Sequence, residues 1–330
     1  MALATSYNVA GNREDLTDIL TILEPEESPL TSLAKKTTAS GTFHEWQVDD
    51  LDTVSFDGVN EGEDVSTWNN KAVNRTRLGN YVQKFRRTFM TSDIQQLTNT
   101  AGVPSEYAYA ESKAVRELKR DLESAIASAQ ERQAEAGSGT PYKTRGLAQW
   151  LANGGTIAGA ASSDVPAAFQ CTASDTNAAP TEAQFNAVLE SLYIANGLPS
   201  GQMTLVAGPT LKRNISRFTR ADTSSNDSTY TVTQAAESKK VTLSVTLYDG
   251  DFGLVSIVPS IFNARTSGSS STTAAALLGY LVDPDKIGLF VLKAQGVNEL
   301  EDQGGGRRGY CDVIAGLACH NPKAHGYFEG

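Results

Sequence analysis

The sequence predicts an α+β protein, in which helices and strands form separate groups along the chain. Three observations support this class: a long amphipathic pattern over 104–136, a helix–strand–helix pattern over 181–219, and short strand patterns over 230–319. Apolar residues recur every three or four positions in the helical patterns, whereas they alternate or cluster in short runs in the strand patterns. Layers of both kinds are expected to share one apolar core.

A long hairpin is predicted after a polar arm at 1–38. Pro25 and Pro29 prevent a long helix in the arm. Residues 41–50 alternate as a strand, and 73–89 form a second, longer strand that carries aromatic and basic residues. An isolated two-stranded ribbon is marginally stable in water. Its aromatic side chains therefore need a surface, either in their own domain or on another copy of the chain.

The predicted hairpin separates its charges. The segment 51–70 carries acidic residues and no Lys or Arg, whereas the returning strand is basic. Such a split would suit contacts between copies, because opposite charges set the register of an interface. The candidate contact residues are the aromatic, basic and acidic residues of this hairpin: Trp46, Trp68, Tyr81, Phe85, Arg75, Arg77, Arg86, Arg87, Asp57, Glu61, Glu63 and Asp64.

Residues 104–136 are predicted to form one long helix. Pro104 suits its first turn, and apolar residues from Tyr107 to Ala129 recur at steps of three and four. Gly137 and the glycine two residues later are expected to end it. At about 1.5 Å per residue the helix would span roughly 50 Å, which is typical of a spine with one buried face.

The second half of the chain predicts a mixed unit followed by a strand meander. A helix is predicted from Thr181 to about Asn196, a strand over 203–207 and a further helix over 209–219. Asp249-Gly250 predicts a hairpin turn. Short strands are predicted at 155–158, 230–235, 240–248, 253–258, 277–282, 286–294 and 310–319.

Composition excludes several classes of function. The net charge is −10 and the isoelectric point is near 4.9, so sequence-specific binding of nucleic acid is not expected, although a container for it remains compatible. Three cysteines argue against a disulfide framework and fit a reducing cytosol. Neither a signal peptide nor a transmembrane helix is predicted.

Two local patterns resemble ligand sites but lack their structural context. Residues 304–309 fit G-x-G-x-x-G, yet a strand-like segment follows where a dinucleotide site needs a helix, so a mobile hairpin loop is predicted. Cys311, Cys319, His320 and His325 lack the short cysteine spacing of closed zinc sites, and the cysteines are expected to pack as apolar residues. No catalytic, cofactor or metal site is predicted, and the protein is not expected to be an enzyme.

The order of these elements resembles the major capsid protein fold of the Hong Kong 97 type, which tailed phages, herpesvirus shell floors and bacterial encapsulins share. Three stretches look like parts of that fold: SPLTSLAKKTTASGTFHEWQVDDL at Ser28–Leu51, the helix–strand–helix segment Thr181–Ile215, and GLACHNPKAHG at Gly316–Gly326. Each stretch alone is weakly specific, but the matching elements cover nearly the whole chain.

The resemblance implies a division into domains. An N-terminal arm would be followed by an extended loop that reaches over an adjacent subunit, a peripheral domain with the spine helix, and an axial domain at fivefold and sixfold centres. The implied ranges are 1–38 for the arm, 39–92 for the extended loop, 93–179 with 296–330 for the peripheral domain, 104–136 for its spine helix, and 180–295 for the axial domain.

The resemblance also implies a function and partners. The chain would be a major capsid protein that assembles into pentamers and hexamers of an icosahedral phage head around double-stranded DNA, in the virion, after assembly in the host bacterial cytoplasm. A separate scaffolding protein, a portal and a decoration protein are expected partners, without sequence-specific DNA contact and without a membrane. Some relatives crosslink Lys to Asn; Lys71, Lys84 and Asn321 have these residue types but lie in no recognised motif. Two alternatives remain open: an encapsulin-like compartment shell and a monomeric β-rich ligand-binding domain.

Overall fold

A computed structural model gives the fold over most of the chain. It describes residues 28–71, 75–98, 102–152, 156–157, 160–161, 165–177, 180–196, 202–218, 245–263 and 278–329. The helices are α1 (Pro29–Leu33), α2 (Asp93–Leu97), α3 (Glu106–Ala127), α4 (Leu147–Leu151), α5 (Glu182–Asn196) and α6 (Pro209–Ile215), with 3₁₀ turns at Ala167–Phe169 and Pro322–Ala324. The strands are β1 (Lys35–Thr38), β2 (Phe43–Val48), β3 (Thr76–Tyr81), β4 (Gln83–Thr91), β5 (Thr156–Ile157), β6 (Ala160–Ala161), β7 (Ala173–Asp175), β8 (Met203–Ala207), β9 (Leu247–Gly250), β10 (Gly253–Pro259), β11 (Gly279–Val282), β12 (Ile287–Leu300), β13 (Arg307–Cys319) and β14 (Gly326–Phe328). This mixture confirms the predicted α+β class.

The strands form two larger sheets and two small pairs. One sheet has the order β1-β12-β13-β4, and the other has the order β7-β14-β11-β8-β10-β9. The hairpin β2–β3 and the short pair β5–β6 stand apart from these sheets. Within the six-stranded sheet, β8 pairs in parallel with β10 and antiparallel with β11, so strands distant in sequence meet at its centre.

The apolar core of the six-stranded sheet lies between β8 and the helix α5. All five residues of β8 are buried, as expected of a central strand covered on both faces. Helix α5 contributes Phe185 and neighbouring apolar residues one helical turn apart to the same cluster. Its start is fixed by a capping box, since Thr181 Oγ1 accepts the N–H of Gln184 while Gln184 Oε1 accepts the N–H of Thr181. The predictions for this helix and this strand are confirmed.

The chain divides into two compact units. Unit 1 comprises, among the described residues, 86–98, 102–118 and 296–312; unit 2 comprises the remaining described residues. In unit 1, the rings of Phe89 and Tyr107 pack edge to face at 5.3 Å. These units do not follow the predicted domain boundaries, which remain predictions.

The long helix ends nine residues earlier than predicted. Helix α3 has 22 residues and is therefore about 33 Å long. The hydroxyl of Ser128 donates to Ala125 O at 2.8 Å and accepts the N–H of Gln130 at 3.1 Å, which replaces helical hydrogen bonds. An ion pair follows the helix: the guanidinium of the buried Arg145 contacts the carboxylate of Glu131, which is partly exposed, at 2.7 Å.

Other boundaries also shift for local reasons. The predicted strand 73–89 is interrupted at Val82, whose side chain is buried and whose N–H donates to Thr42 O at 3.0 Å. The predicted hairpin near Asp249-Gly250 is present, but Gly250 pairs with Gly253, so the turn lies two residues later. Tyr193 follows the apolar Leu192 in α5 but is 44% exposed. The predicted strand 230–235 and most of the arm lie outside the described residues.

Candidate inter-subunit surface

The root of the hairpin packs against other parts of unit 2, to which it belongs. Strands β2 and β3 pair antiparallel from Phe43 opposite Tyr81 to Val48 opposite Thr76. The Trp46 ring lies 5.6 Å from the ring of Trp150, which is fully buried. The His44 ring lies 4.8 Å from the Phe290 ring, so His44 also packs within the chain. The Trp46 and His44 side chains of β2 therefore pack against residues of their own chain.

A buried amide fixes this root. Asn80 is fully buried; its side-chain Nδ2 donates to Thr144 Oγ1 at 3.0 Å and to Leu317 O at 2.7 Å, while its Oδ1 accepts the N–H of Arg145 at 2.7 Å. Next to it, a Cβ on Gly79 would lie 2.6 Å from the Phe43 ring. Three separate chain segments are thus held against β3, and the root has little freedom to move.

Beyond the root, residues 49–71 extend without regular secondary structure; we call this segment the loop tip. Its large apolar side chains are 66–96% exposed, and they are Leu51, Val54, Phe56, Val59, Val65 and Trp68. Single exposed apolar residues are ordinary, but a concentration of six in one segment marks an interaction site. Of these six residues, only Trp68 is among the contact residues that the sequence predicts.

The loop tip is acidic and is held in shape by its own polar contacts. It carries Asp or Glu at seven positions and one Lys, at position 71. Lys71 pairs with Asp52, and the Arg75 guanidinium lies 3.4 Å from the Asp49 carboxylate. At the far end, Asn60 N–H donates to Glu63 Oε2 at 3.2 Å, in a turn whose Gly62 has a φ of +81°. The predicted acidic tip is present.

The predicted contact residues differ in exposure. The acidic candidates Asp57, Glu61, Glu63 and Asp64 are exposed, as are Trp68, Arg75, Arg77, Arg86 and Arg87. Trp46 and Tyr81 are half-buried. Phe85 is only 7% exposed, because its strand position points into the interior, so its side chain has little surface left for another copy. In unit 1, Arg86 lies over the Tyr310 ring at 4.9 Å.

Unit 1 carries a second apolar surface that the sequence reasoning missed. Met90, Ile94 and Leu97 are 60–87% exposed, the last two on the short helix α2. Ser92 caps this helix by accepting the N–H of Gln95. The spacing of Ile94 and Leu97 by three residues is the signal that could have indicated a shared face. We call these three residues the α2 patch.

The glycine-rich segment 304–309 forms the predicted hairpin loop between β12 and β13, as a defined turn. The Asp302 carboxylate accepts the N–H groups of Gly304, Gly305 and Gly306, and these bonds lower the pKa of Asp302. Gly304 and Gly306 have φ values of +89° and +109°. The amides that a phosphate would need already bind this carboxylate, so the motif does not act as a phosphate loop.

The cysteines and His325 pack in the interior, whereas His44 and His320 are half-buried. All three cysteines are free and buried, and burial raises the pKa of Cys171 to about 12. Within the described part of the chain, no group of three or more His, Cys, Asp or Glu side chains could hold a metal ion. In that same part, no helix has the length and hydropathy needed to cross a membrane.

Comparison with known proteins places this architecture among phage capsid proteins. The model of the SU10 major capsid protein family matches residues 3–330. The major capsid protein of Escherichia phage Phieco32 is 30% identical over 131 residues, which are 39% of this chain and 37% of that protein. The sequence match therefore spans little more than a third of that relative's length.

Solved capsid structures share the fold over nearly the whole chain. The capsid asymmetric unit of cyanophage A-1(L) has a TM-score of 0.66 at 14% identity, covering 98% of this chain and 97% of that chain. The capsid structure of cyanophage P-SCSP1u has a TM-score of 0.56 at 15% identity, covering 99% and 92%. At such identities the likeness establishes the fold, and it confirms the predicted capsid architecture.

Proposed function

This chain belongs to the SU10 major capsid protein family, and from that premise we propose that each copy lays its loop tip on an adjacent copy to build a closed shell. The protein is a capsid protein, a structural component of the virion. A role without catalysis is part of the proposal. The encapsulin-like compartment and the ligand-binding domain are not favoured by the comparisons.

The exposed apolar residues of the loop tip carry this proposal. Fully burying one large apolar side chain contributes about 1.5–3 kcal/mol, so Phe56 and Trp68, at 96% and 84% exposure, together represent several kcal/mol in a contact. Their root is rigid, which reduces the entropy lost on binding. In a closed lattice each such contact is repeated many times, so a modest contact energy suffices.

Charge supports the choice of another copy as the partner. The loop tip is acidic, whereas the return strand of the hairpin presents exposed arginines at 75, 77, 86 and 87. An acidic tip that meets such basic residues on a second copy would set register and discourage misaligned contacts. Exposed charges are screened by salt, so assembly is expected to slow at high ionic strength.

The finer assignment follows the predicted architecture. It comprises pentamers and hexamers in an icosahedral head around double-stranded DNA, with assembly in the host cytoplasm and with separate scaffolding, portal and decoration proteins. The acidity of the chain supports a wall that does not cling to its DNA. The domain ranges 1–38, 39–92, 93–179 with 296–330, and 180–295 belong to the same proposal. The α2 patch is proposed as a further contact between copies, since it too exposes apolar residues on a fixed element.

The test removes the apolar anchors of the loop tip. A Phe56→Ser, Trp68→Ala double variant is expected to fold with an unchanged melting temperature, because both side chains are exposed in the single chain. It should remain as unassembled subunits in electron microscopy and sedimentation under conditions that give shells with the unaltered protein. The matched control changes exposed polar neighbours, Ser66→Ala and Asn69→Ala, and should assemble normally. Shells at the unaltered yield and rate from the double variant would refute the proposal.

A further inference from the structure

Glu123 brings a fully buried carboxylate to the start of α1. Its Oε1 accepts the N–H of Leu30 at 2.8 Å, and its Oε2 accepts the N–H and the hydroxyl of Thr31 at 2.8 and 2.5 Å. These groups all lie in unit 2. Three bonds from one short helix to one side chain make an unusually concentrated attachment.

We propose that Glu123 is a latch that holds the arm on the spine helix α3, and that opening this latch frees residues 28–38 while the rest of unit 2 stays folded. The proposal concerns the single chain. It stands or falls independently of the contacts proposed for the loop tip.

Among the described residues of the arm, 28–38, few other attachments are present. Leu30 is the one buried residue of α1, and the small side chain of Ala34, directly after the helix, is also buried. The four side chains of β1 are exposed, and this strand pairs along one edge only, in parallel with β12. Lys35 pairs with Asp285 at 2.6 Å, but both side chains are about half exposed or more, and such surface pairs contribute little. A segment with so little burial opens at low cost compared with a core strand.

Opposing electrostatic effects make the latch sensitive to the ionisation state of Glu123. The charge-assisted bonds favour the closed position, whereas burial of the charge opposes it. Burial raises the pKa of Glu123, and the bonds from Thr31 and Leu30 oppose that rise. Helix α1 contributes no titratable side chain, and on α3 Lys119 is exposed while Arg120 lies over the Phe262 ring at 5.9 Å. The balance therefore rests on Glu123 and the arm.

The sign of the pH dependence follows from linkage. In the open position the carboxylate regains water and its ordinary pKa, whereas in the closed position the pKa is raised. The closed position consequently binds a proton more readily, and closure is favoured as the pH falls through the closed-state pKa. Above that pKa the ionised latch is easier to open.

The first test compares Glu123→Gln with a matched control, Glu117→Gln, a half-buried carboxylate in an ion pair on the same helix. The amide introduced at position 123 replaces one carboxyl oxygen by an NH2 group, which cannot accept a hydrogen bond from the arm, whereas a protonated carboxyl group keeps both oxygens. Hydrogen–deuterium exchange of the full chain is expected to accelerate at least about tenfold over residues 30–38 in Glu123→Gln, with β8 and β11 unchanged. The control should leave all three segments unchanged.

The second test follows the arm as a function of pH. A fluorophore attached through Lys36→Cys reports on an exposed position of β1, because the three native cysteines are buried and react slowly. Its anisotropy is expected to rise as the pH falls, and this rise should be absent in Glu123→Gln. Exchange over 30–38 that stays at the unaltered rate would overturn the proposal. Exchange that accelerates equally in β8 would overturn it too, because Glu123 would then support the whole unit.

Discussion

Replacing Asn80 by Ala is expected to loosen the root from which the loop tip extends. The side chain has no exposure and connects β3 with two other segments, at 144–145 and at Leu317. Alanine keeps the strand but removes every side-chain bond. The empty volume is small and polar, so the loss is dominated by the partners that Asn80 leaves behind.

The magnitude follows from which partners keep another bond. Thr144 Oγ1 retains the N–H of Leu317 at 3.1 Å, so its loss is minor. Arg145 N–H and Leu317 O each lose a bond of 2.7 Å. A buried group left unsatisfied costs about 1–3 kcal/mol, so the free energy of unfolding is expected to fall by about 2–6 kcal/mol. Total stabilities are about 5–15 kcal/mol, so this is a large fraction.

Urea unfolding of unassembled subunits measures this change. Tryptophan fluorescence reports on the root, because Trp46 and Trp150 lie within 5.6 Å of each other there. The midpoint should shift to lower urea while the slope stays constant, since the exposed surface on unfolding is unchanged. Asn69→Ala, at an exposed position of the loop tip, should stay within about 0.5 kcal/mol. A loss below about 1 kcal/mol for Asn80→Ala would show that the buried bonds do not hold the root.

Two further predictions concern packing and pH. A Cβ at Gly316 would lie 2.3 Å from Phe290 Cζ, so Gly316→Ala should lower the free energy of unfolding by about 1–3 kcal/mol. In the control Gly305→Ala, the new Cβ would meet Met90 Cε at 3.5 Å, so this variant should be nearly neutral. Equal shifts of the melting temperature in the two variants would contradict this prediction. His325 is fully buried, and burial lowers its pKa from 6.5 to about 4. Because the unfolded chain takes up this proton first, stability should fall by about 3 kcal/mol between pH 6.5 and 4. His325→Gln should remove that part of the slope in denaturation measured across this range, and an unchanged slope would contradict the assignment.

Helix α5 and strand β8 could be predicted from the sequence, because residues within or next to each element determine where it begins and ends. Helix α5 begins with a capping box and places its apolar residues one turn apart, and β8 is a short apolar run before Gly208-Pro209. In both cases propensity, pattern and tertiary packing agree, which is the condition for a reliable prediction. For the same reason the order of such elements is visible in the sequence, and that order carries the resemblance to capsid proteins.

The end of α3 could not be predicted from periodicity. Apolar spacing continues past Ala127, and residues 128–136 contain no proline or early glycine. The helix ends because the buried Arg145 side chain pairs with the partly exposed Glu131 and because Gln133 forms a bridge with Lys143. Arg145 and Lys143 lie about ten residues or more further along the chain than Glu131 and Gln133, so these tertiary contacts override a helical pattern.

The aromatic ribbon shows most clearly where sequence reasoning stops. Trp46 lies in the first predicted strand of the hairpin and Trp68 in the segment between its strands, and both are predicted from the sequence as contacts to another copy. Trp46 finds Trp150 and His320 within 6 Å, whereas Trp68 remains 84% exposed. The difference arises at residue 49, where β2 has ended and the loop tip with its exposed side chains begins. An apolar side chain beyond that point is exposed in the described part of the chain, and under the proposed function it gains burial from another copy, which would favour assembly.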